Sequence, residues 1–270
     1  MLRRSSVWSV AGIFGAIVLA VRAAPARAQT HDEARLTVGV ALGYIRGSEL
    51  WSVNRQPIID LDGSQDLLNL QRHLASNLSL SAQMAYYRSA HLGYTAEFTY
   101  LGLGTEDNCD LAAGGGGIPG GPACAALKGM NRPASAVSLM GGMIWRPASR
   151  AAYQPYVRGL LGAAVVPRST LEVASIFGAQ DENRLEIYAA ETNSRMIRPS
   201  ATLGMGIATA PSGGYQLSLE VRESWIVIPV VTGTTIYQGL TPSSANRVKN
   251  FPSFLVGLNI VLERRRGRRY

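Results

Sequence analysis

The sequence predicts an all-β fold, an eight-stranded antiparallel up-and-down transmembrane β-barrel. Three observations predict it. Apolar residues recur with a period of two in eight separate segments, the connections between those segments alternate short and long, and the chain opens on an export signal after which no long apolar run recurs. The 270 residues are 47% hydrophobic and only 16% charged, so the apolar residues of the mature chain must be dispersed in alternation. A chain of this size fits one domain.

The export signal comes first in chain order. MLRR is a positively charged start, Val7 to Val21 an apolar run, and Ala26-Arg27-Ala28 a small-x-small cleavage site, the three parts of a secretory signal peptide over residues 1–28. The apolar run is shorter than a spanning helix requires. Residues 29–263 are then expected to form the barrel and 264–270 a basic tail.

The first strand is expected over Arg35 to Arg46, with Leu36, Val38, Val40, Leu42 and Tyr44 on one face. The second, Leu74 to Tyr87, sets Leu78, Leu80, Ala82, Met84 and Tyr86 against Ser79, Ser81 and Gln83. The third, Leu92 to Leu103, sets Tyr94, Ala96, Phe98 and Tyr100 against Thr95, Glu97 and Thr99. The fourth, Ser135 to Trp145, alternates less cleanly. The fifth, Tyr156 to Val166, carries Arg158 opposite Val157 and Leu161. The sixth runs from Ser200 to Thr209, and the seventh starts at Tyr215 with Leu217, Leu219 and Val221 opposite Glu220 and Arg222. The eighth, Ser253 to Glu263, is the most regular: Phe254, Val256, Leu258, Ile260 and Leu262 share one face.

Segments 88–91, 146–155 and 210–214 are short or compact, whereas 47–73, 104–134, 167–199 and 226–252 are long. An even strand number puts the short turns and both termini at one end and the long loops at the other, the layout of an outer-membrane barrel. The nine residues from Phe254 to Leu262, at about 3.3 Å each and tilted by about 40°, reach a height of about 23 Å, against an apolar band of about 25 Å. Periodicity alone leaves open which face meets lipid, because a secreted lipocalin-like barrel would turn its apolar set inward. The opposite set, rich in small residues and carrying Glu97, Arg158, Glu220 and Arg222, suits a narrow lumen filled by side chains. Tyr44, Tyr86, Tyr94, Tyr100, Trp145 and Tyr215 fall near strand ends, where an interfacial girdle belongs.

Charge and cysteine usage narrow the function. The formal charge of +8 loses four arginines with the signal and five with the tail, which leaves the body at −1 and removes the case for nucleic acid. Cys109 and Cys124, the only two cysteines, bracket a glycine-rich segment. In an oxidising compartment they should pair, and such a loop closure contributes about 3 kcal/mol. A metal site is a poor reading of two cysteines without a neighbouring histidine.

With these features the chain resembles the small OmpA/OmpX-type outer-membrane β-barrel proteins of Gram-negative bacteria. The resemblance covers nearly the whole mature chain and rests on pattern. FLVGLNIVL also looks like the terminal-strand signal that the barrel assembly machinery recognises during biogenesis. One departure stands out: Leu262 holds the place where an aromatic usually closes the strand, and Tyr270 comes only after RRRGRR. The resemblance implies outer-membrane lipid as surroundings, no cofactor and a monomer, and it leaves the extracellular partner unnamed.

Candidate sites are few. Of three histidines, His31 lies in the N-terminal segment, His91 in a short turn, and His73 near Asp66 and Ser76. A serine three residues away lies on the other face of a strand, so no catalytic role is expected. Asp60, Asp62 and Asp66 around Gly63 could gather oxygen ligands for calcium, but they lack the length and terminal glutamate of an EF-hand loop and fit a polar turn. Glu97, Arg158, Glu220 and Arg222 should pair across the lumen, because an unpaired charge there is costly. The expected function is a structural or surface-interaction role carried by long loops, with a narrow solute pore or a secreted ligand-binding barrel as alternatives. The tail reads as a solvated end or as a contact to anionic head groups, each arginine worth up to about 1 kcal/mol.

Overall fold

In the computed structural model the described residues are 33–59, 65–111, 130–167, 172–176, 184–188, 195–231 and 244–265. They form strands β1 (Glu33–Ile45), β2 (Glu49–Ile59), β3 (Gln65–Ala75), β4 (Asn77–Tyr87), β5 (Leu92–Leu111), β6 (Met130–Trp145), β7 (Tyr153–Pro167), β8 (Glu172–Ile176), β9 (Arg184–Tyr188), β10 (Arg195–Thr209), β11 (Tyr215–Val231) and β12 (Ser244–Arg265). The fold is all-β. Eight of these strands close a ring in the order β1, β4, β5, β6, β7, β10, β11, β12 and back to β1, antiparallel throughout. Within the ring, closure pairs every wall strand on both edges, which is what a β-structure needs where no water can bond its backbone.

Local sequence explains the turns at one end. Between β10 and β11, Gly213 and Gly214 both take positive φ, 60° and 93°, and Ser212 and Tyr215 exchange hydrogen bonds across them. Two consecutive positive φ angles define the tight turn whose twist matches a hairpin, and glycine adopts them without strain.

The other end departs from the expected long loops. Much of 47–73 is a β2–β3 hairpin, in which β3 pairs with the outer part of β5 from Leu68↔Leu111 to Ala75↔Gly104. The ladder β5–β6 continues to Asp107↔Met130, β7–β10 to Pro167↔Arg195, and β11–β12 to Val231↔Ser244. The second predicted strand is therefore two, β3 and β4, with a break at Ser76. These extensions escape a period-two pattern because the apolar face changes sides within them.

The ring does not stay closed over this whole height. Among the described residues, β1–β12 pairing ends at Ile45↔Ser253, β6–β7 at Val137↔Val165, and β10–β11 at Ser200↔Ile226. Above those levels the wall divides into three leaflets. Prolines sit close to each division: Pro252 at the first, Pro133 and Pro167 near the second, Pro199 and Pro229 at the third. Proline cannot donate to a ladder. At the first division Arg46 donates to the Pro252 carbonyl at 3.0 Å, and the return bond has no donor.

Candidate functional site

The lumen is layered, and its middle layer is ionic. Glu97 on β5, Arg158 on β7, and Glu220 and Arg222 on β11 are all buried. Arg158 Nη2 stands 2.7 Å from Glu97 Oε2 and 2.8 Å from Glu220 Oε1, and Arg222 Nη1 pairs with Glu97 Oε1. Arg158 also donates to Glu220 Oε1 through Nε at 2.9 Å and to Gln83 Oε1 at 3.0 Å. Tyr156 donates to Glu220 Oε2 at 2.8 Å and Thr99 to Glu97 Oε1 at 2.6 Å. Two carboxylates and two guanidiniums balance, so the layer is neutral. Arginine suits it because its planar fork reaches several acceptors at once. Gly204 supplies the room, since a Cβ there would stand 2.6 Å from Glu220 Oε1.

The end carrying the short turns is closed by a strap. The turn after β6 carries Arg146, Ser149 and Arg150 beneath the ring to the start of β1, almost diametrically opposite. Arg150 pairs with Glu33 at 2.5 Å, Arg146 donates to the Ala34 carbonyl at 3.1 Å, and the Arg146 guanidinium lies 3.3 Å from the Tyr87 ring centre. His91 Nδ1 meets the Arg146 carbonyl at 2.9 Å. Between strap and ionic layer lies a polar cavity of about 30 Å³ lined by Gln83, Tyr87, Arg146, Tyr156, Arg158 and Asn259, among others. A cavity of that measure holds a water or two.

At the opposite end the lumen is apolar. Leu50, Trp51 and Val53 from β2 pack with Leu70 and Leu74 of β3, Leu101 of β5, Val166 of β7, Ile226, Ile228 and Val230 of β11 and Phe251 of β12. A buried ion pair sits in it: Arg72 donates to Asp107 through Nε at 2.6 Å and Nη2 at 2.9 Å, and stacks 5.5 Å from the Trp51 ring. Cys109 is buried in the same core and disulfide-bonded; Cys124 lies outside the described residues.

The outer surface inverts this arrangement. Phe254, Val256, Leu258, Ile260 and Leu262 are 42–61% exposed, and Val38, Val40, Leu42, Leu78, Leu80, Phe98, Leu139, Leu161, Leu217 and Leu219 are exposed around the ring with them. Tyr44, Tyr86, Tyr94, Tyr100, Trp145 and Tyr215 are exposed on the same surface. A belt of this extent far exceeds the apolar patch a soluble monomer leaves bare. Beyond it the strands keep their alternation but exchange its chemistry. On β11, Leu217, Leu219 and Val221 point out and Glu220 and Arg222 in, yet a few residues later Ile226, Ile228 and Val230 point in and are buried. The same exchange occurs at Ile45, Leu74, Leu101 and Phe251, which draws the rim of the apolar belt around the molecule.

The remaining candidates scatter. His73 faces outward on β3 with Gln71 Oε1 3.4 Å from its Nε2, opposite Glu49 and Glu106 in the ladder, and its side chain points away from the lumen. Asp60, Asp62 and His31, the signal peptide, and the tail from residue 266 lie outside the described residues, as does the Asp66 side chain. The apolar outer core and the Arg72–Asp107 pair lie outside the residues that the sequence pattern singles out. The signal was present in WIVIPVV, an unbroken apolar run from Trp225 to Val231 that continues the seventh strand beyond Glu223 and Ser224.

No known family's sequence profile matches the chain, and no curated protein matches it in sequence. Solved structures do align. Neisserial surface protein A matches at 11% identity, covering 84% of this chain and 97% of that one with a TM-score of 0.43. The outer membrane protein OprG from Pseudomonas aeruginosa matches at 10%, covering 86% and 97% with a TM-score of 0.44. The attachment invasion locus protein of Yersinia pestis matches at 11%, covering 84% and 98% with a TM-score of 0.36. Likenesses at this level concern fold alone. The ladder and faces described above stand independently of them. By its closed eight-strand ladder, its outward apolar belt and its ion-paired lumen, the chain has the architecture of the small OmpA/OmpX-type outer-membrane β-barrels.

Proposed function

We propose that the chain is a sealed outer-membrane barrel whose role is structural or interactive and is carried by its rim and outer loops. One observation carries the reading: the lumen is occupied at three successive levels, by the Arg146 strap, by the Glu97–Arg158–Glu220–Arg222 layer and by the apolar outer core. Eight strands enclose a space that side chains can fill, and here the cavity between two of the levels is about 30 Å³. That favours a plug over a solute pore, and the charged interior disfavours a lipocalin-like site.

The experiment is reconstitution into planar bilayers. Purified, heat-modifiable protein should give no resolved conductance steps, and regular steps would overturn the sealed reading. Fractionation of expressing cells should recover it with the outer membrane; a detergent-independent soluble monomer would overturn the location. Impermeant reagents on intact cells should reach the β2–β3 and β11–β12 ends but not the strap.

A further inference from the structure

The outer mouth is closed by a strand that is attached to the wall along one edge only. β2 pairs with β3, which pairs with β5, but among the described residues β2 has no ladder to β12, its neighbour in the ring direction. It approaches β11 instead, the strand beyond β12, and Leu50, Trp51 and Val53 share one buried apolar cluster with Ile226, Ile228 and Val230. The outer arm of β12 shows the consequence, because Ala245, Asn246, Arg247 and Val248 are exposed in succession. A wall strand backed by a filled lumen would alternate.

Three features keep the free edge of β2 from zipping to β12. Pro252 removes the donor where β1–β12 pairing stops. Register shifts interrupt β2 between Glu49 and Trp51 and between Val53 and Gln56, and Arg55 between them has a φ of 58° with its N–H held by Asn69 Oδ1 at 3.0 Å. The opposing arm carries Arg247 and Lys249, and Lys249 Nζ reaches the Glu49 carbonyl as a side-chain tether at 2.8 Å. Bulges, prolines and basic residues are the devices that stop strand edges from pairing. The closure is also imperfect at its centre, since Trp51 Nε1 is buried without a hydrogen-bond partner, and an unsatisfied buried donor disfavours the closed state.

We propose that β2 is a hinged lid over the outer lumen, closed by side-chain packing across an unpaired seam and able to lift from β11 while β3 stays in the wall. Gly47 and Ser48, tied to Ser76 Oγ and the Leu74 N–H respectively, form its hinge. Opening breaks no ladder to β12, releases the bonds of β2 to β3, and uncovers the apolar face of β11. The proposal rests on the barrel reading, but a conducting barrel would leave it standing, because the lid lies above the ionic layer.

Hydrogen exchange on the folded, detergent-solubilised full chain tests it. The β2 amides bonded to β3 should exchange at least tenfold faster than those of β1 and than those joining β3 to β5. Equal protection of β2 and β1 would overturn the lid, and so would joint exchange of β2, β3 and outer β5, which would mean that the whole rim frays. A second measurement reads access. In heat-modifiable Ile228→Cys, an impermeant maleimide should label the β11 thiol, and adding Trp51→Ala should raise the rate at least tenfold. Labelling that is absent, or unchanged by Trp51→Ala, would sink the proposal.

Discussion

The inner and outer halves of the lumen solve the same problem with opposite chemistry. In the inner half, walls that face out carry apolar residues, so the inward positions hold Glu97, Arg158, Glu220 and Arg222, made tolerable by mutual pairing. In the outer half, inward positions hold Leu50, Trp51, Ile226, Ile228 and Phe251, while outward positions hold Glu49, His73 and Glu106. A single strand, β11, carries both arrangements with unbroken alternation. What changes at the boundary is the solvent on the outside. Where lipid surrounds the wall, exterior burial requires nothing of the lumen; where water surrounds it, only an interior core can hold the strands together.

Deleting one ion of the inner layer should have the largest effect. Glu97→Ala leaves Arg158 and Arg222 buried with one carboxylate between them, and should destabilise the barrel by about 3–5 kcal/mol, measured by urea unfolding in lipid vesicles. A loss below about 1 kcal/mol would mean that water reaches this layer freely.

The next test places one substitution on each side of the boundary along β12. Leu258→Arg lies within the apolar belt and should cost about 2–4 kcal/mol, whereas Val248→Arg, also outward in parity but beyond the belt, should cost about 0–1 kcal/mol. Equal costs would erase the boundary. A finer version uses isoleucine: Ile228→Val, in the outer core, should lose about 0.5–1.5 kcal/mol, and Ile207→Val, 48% exposed on the lipid side, should lose less in the same unfolding assay. The reverse order would show that the outer core packs loosely.

The smallest effect on the barrel is expected from the disulfide. Cys109 sits on the outer part of β5, beyond the belt. Reduction should leave heat-modifiable migration unchanged, because ring closure does not depend on it, and on intact cells an impermeant thiol reagent should then label Cys124, with Cys109 slower because it is buried in the outer core. Labelling only after the outer membrane is broken would invert the topology, and with it the place of the lid and of the strap.

Much of the inner half was legible in the sequence. A period of two in Phe254 to Leu262, or in Tyr94 to Tyr100, specifies a strand with one apolar face because side chains alternate across a pleated backbone. The isolated charges at Glu97, Arg158, Glu220 and Arg222 were recognisable as inward because they interrupt the opposite face. The outer half was poorly legible. Its inward apolar residues continue a strand whose apolar face has just changed sides, and on β11 the outward positions from Trp225 to Val231 are apolar as well, so a window across Glu223 to Ile226 shows no period of two. Trp51 was hidden by the shift beside it in β2, which displaces its parity.

By itself, then, the sequence determined the local quantities: which segments extend, which face of each is apolar, where tight turns can form, and that a charged residue inside needs a partner. Those follow from side-chain alternation and turn chemistry within a few neighbouring residues. Only the tertiary structure decided that Arg158 bridges Glu97 and Glu220 rather than another acid, that the turn bearing Arg146 crosses to Glu33 and Ala34, and that β2 folds onto β11 instead of pairing with β12. Each joins residues far apart in the chain. Their meeting depends on how eight strands stagger as the ring closes, a property of the whole sheet that no single strand encodes.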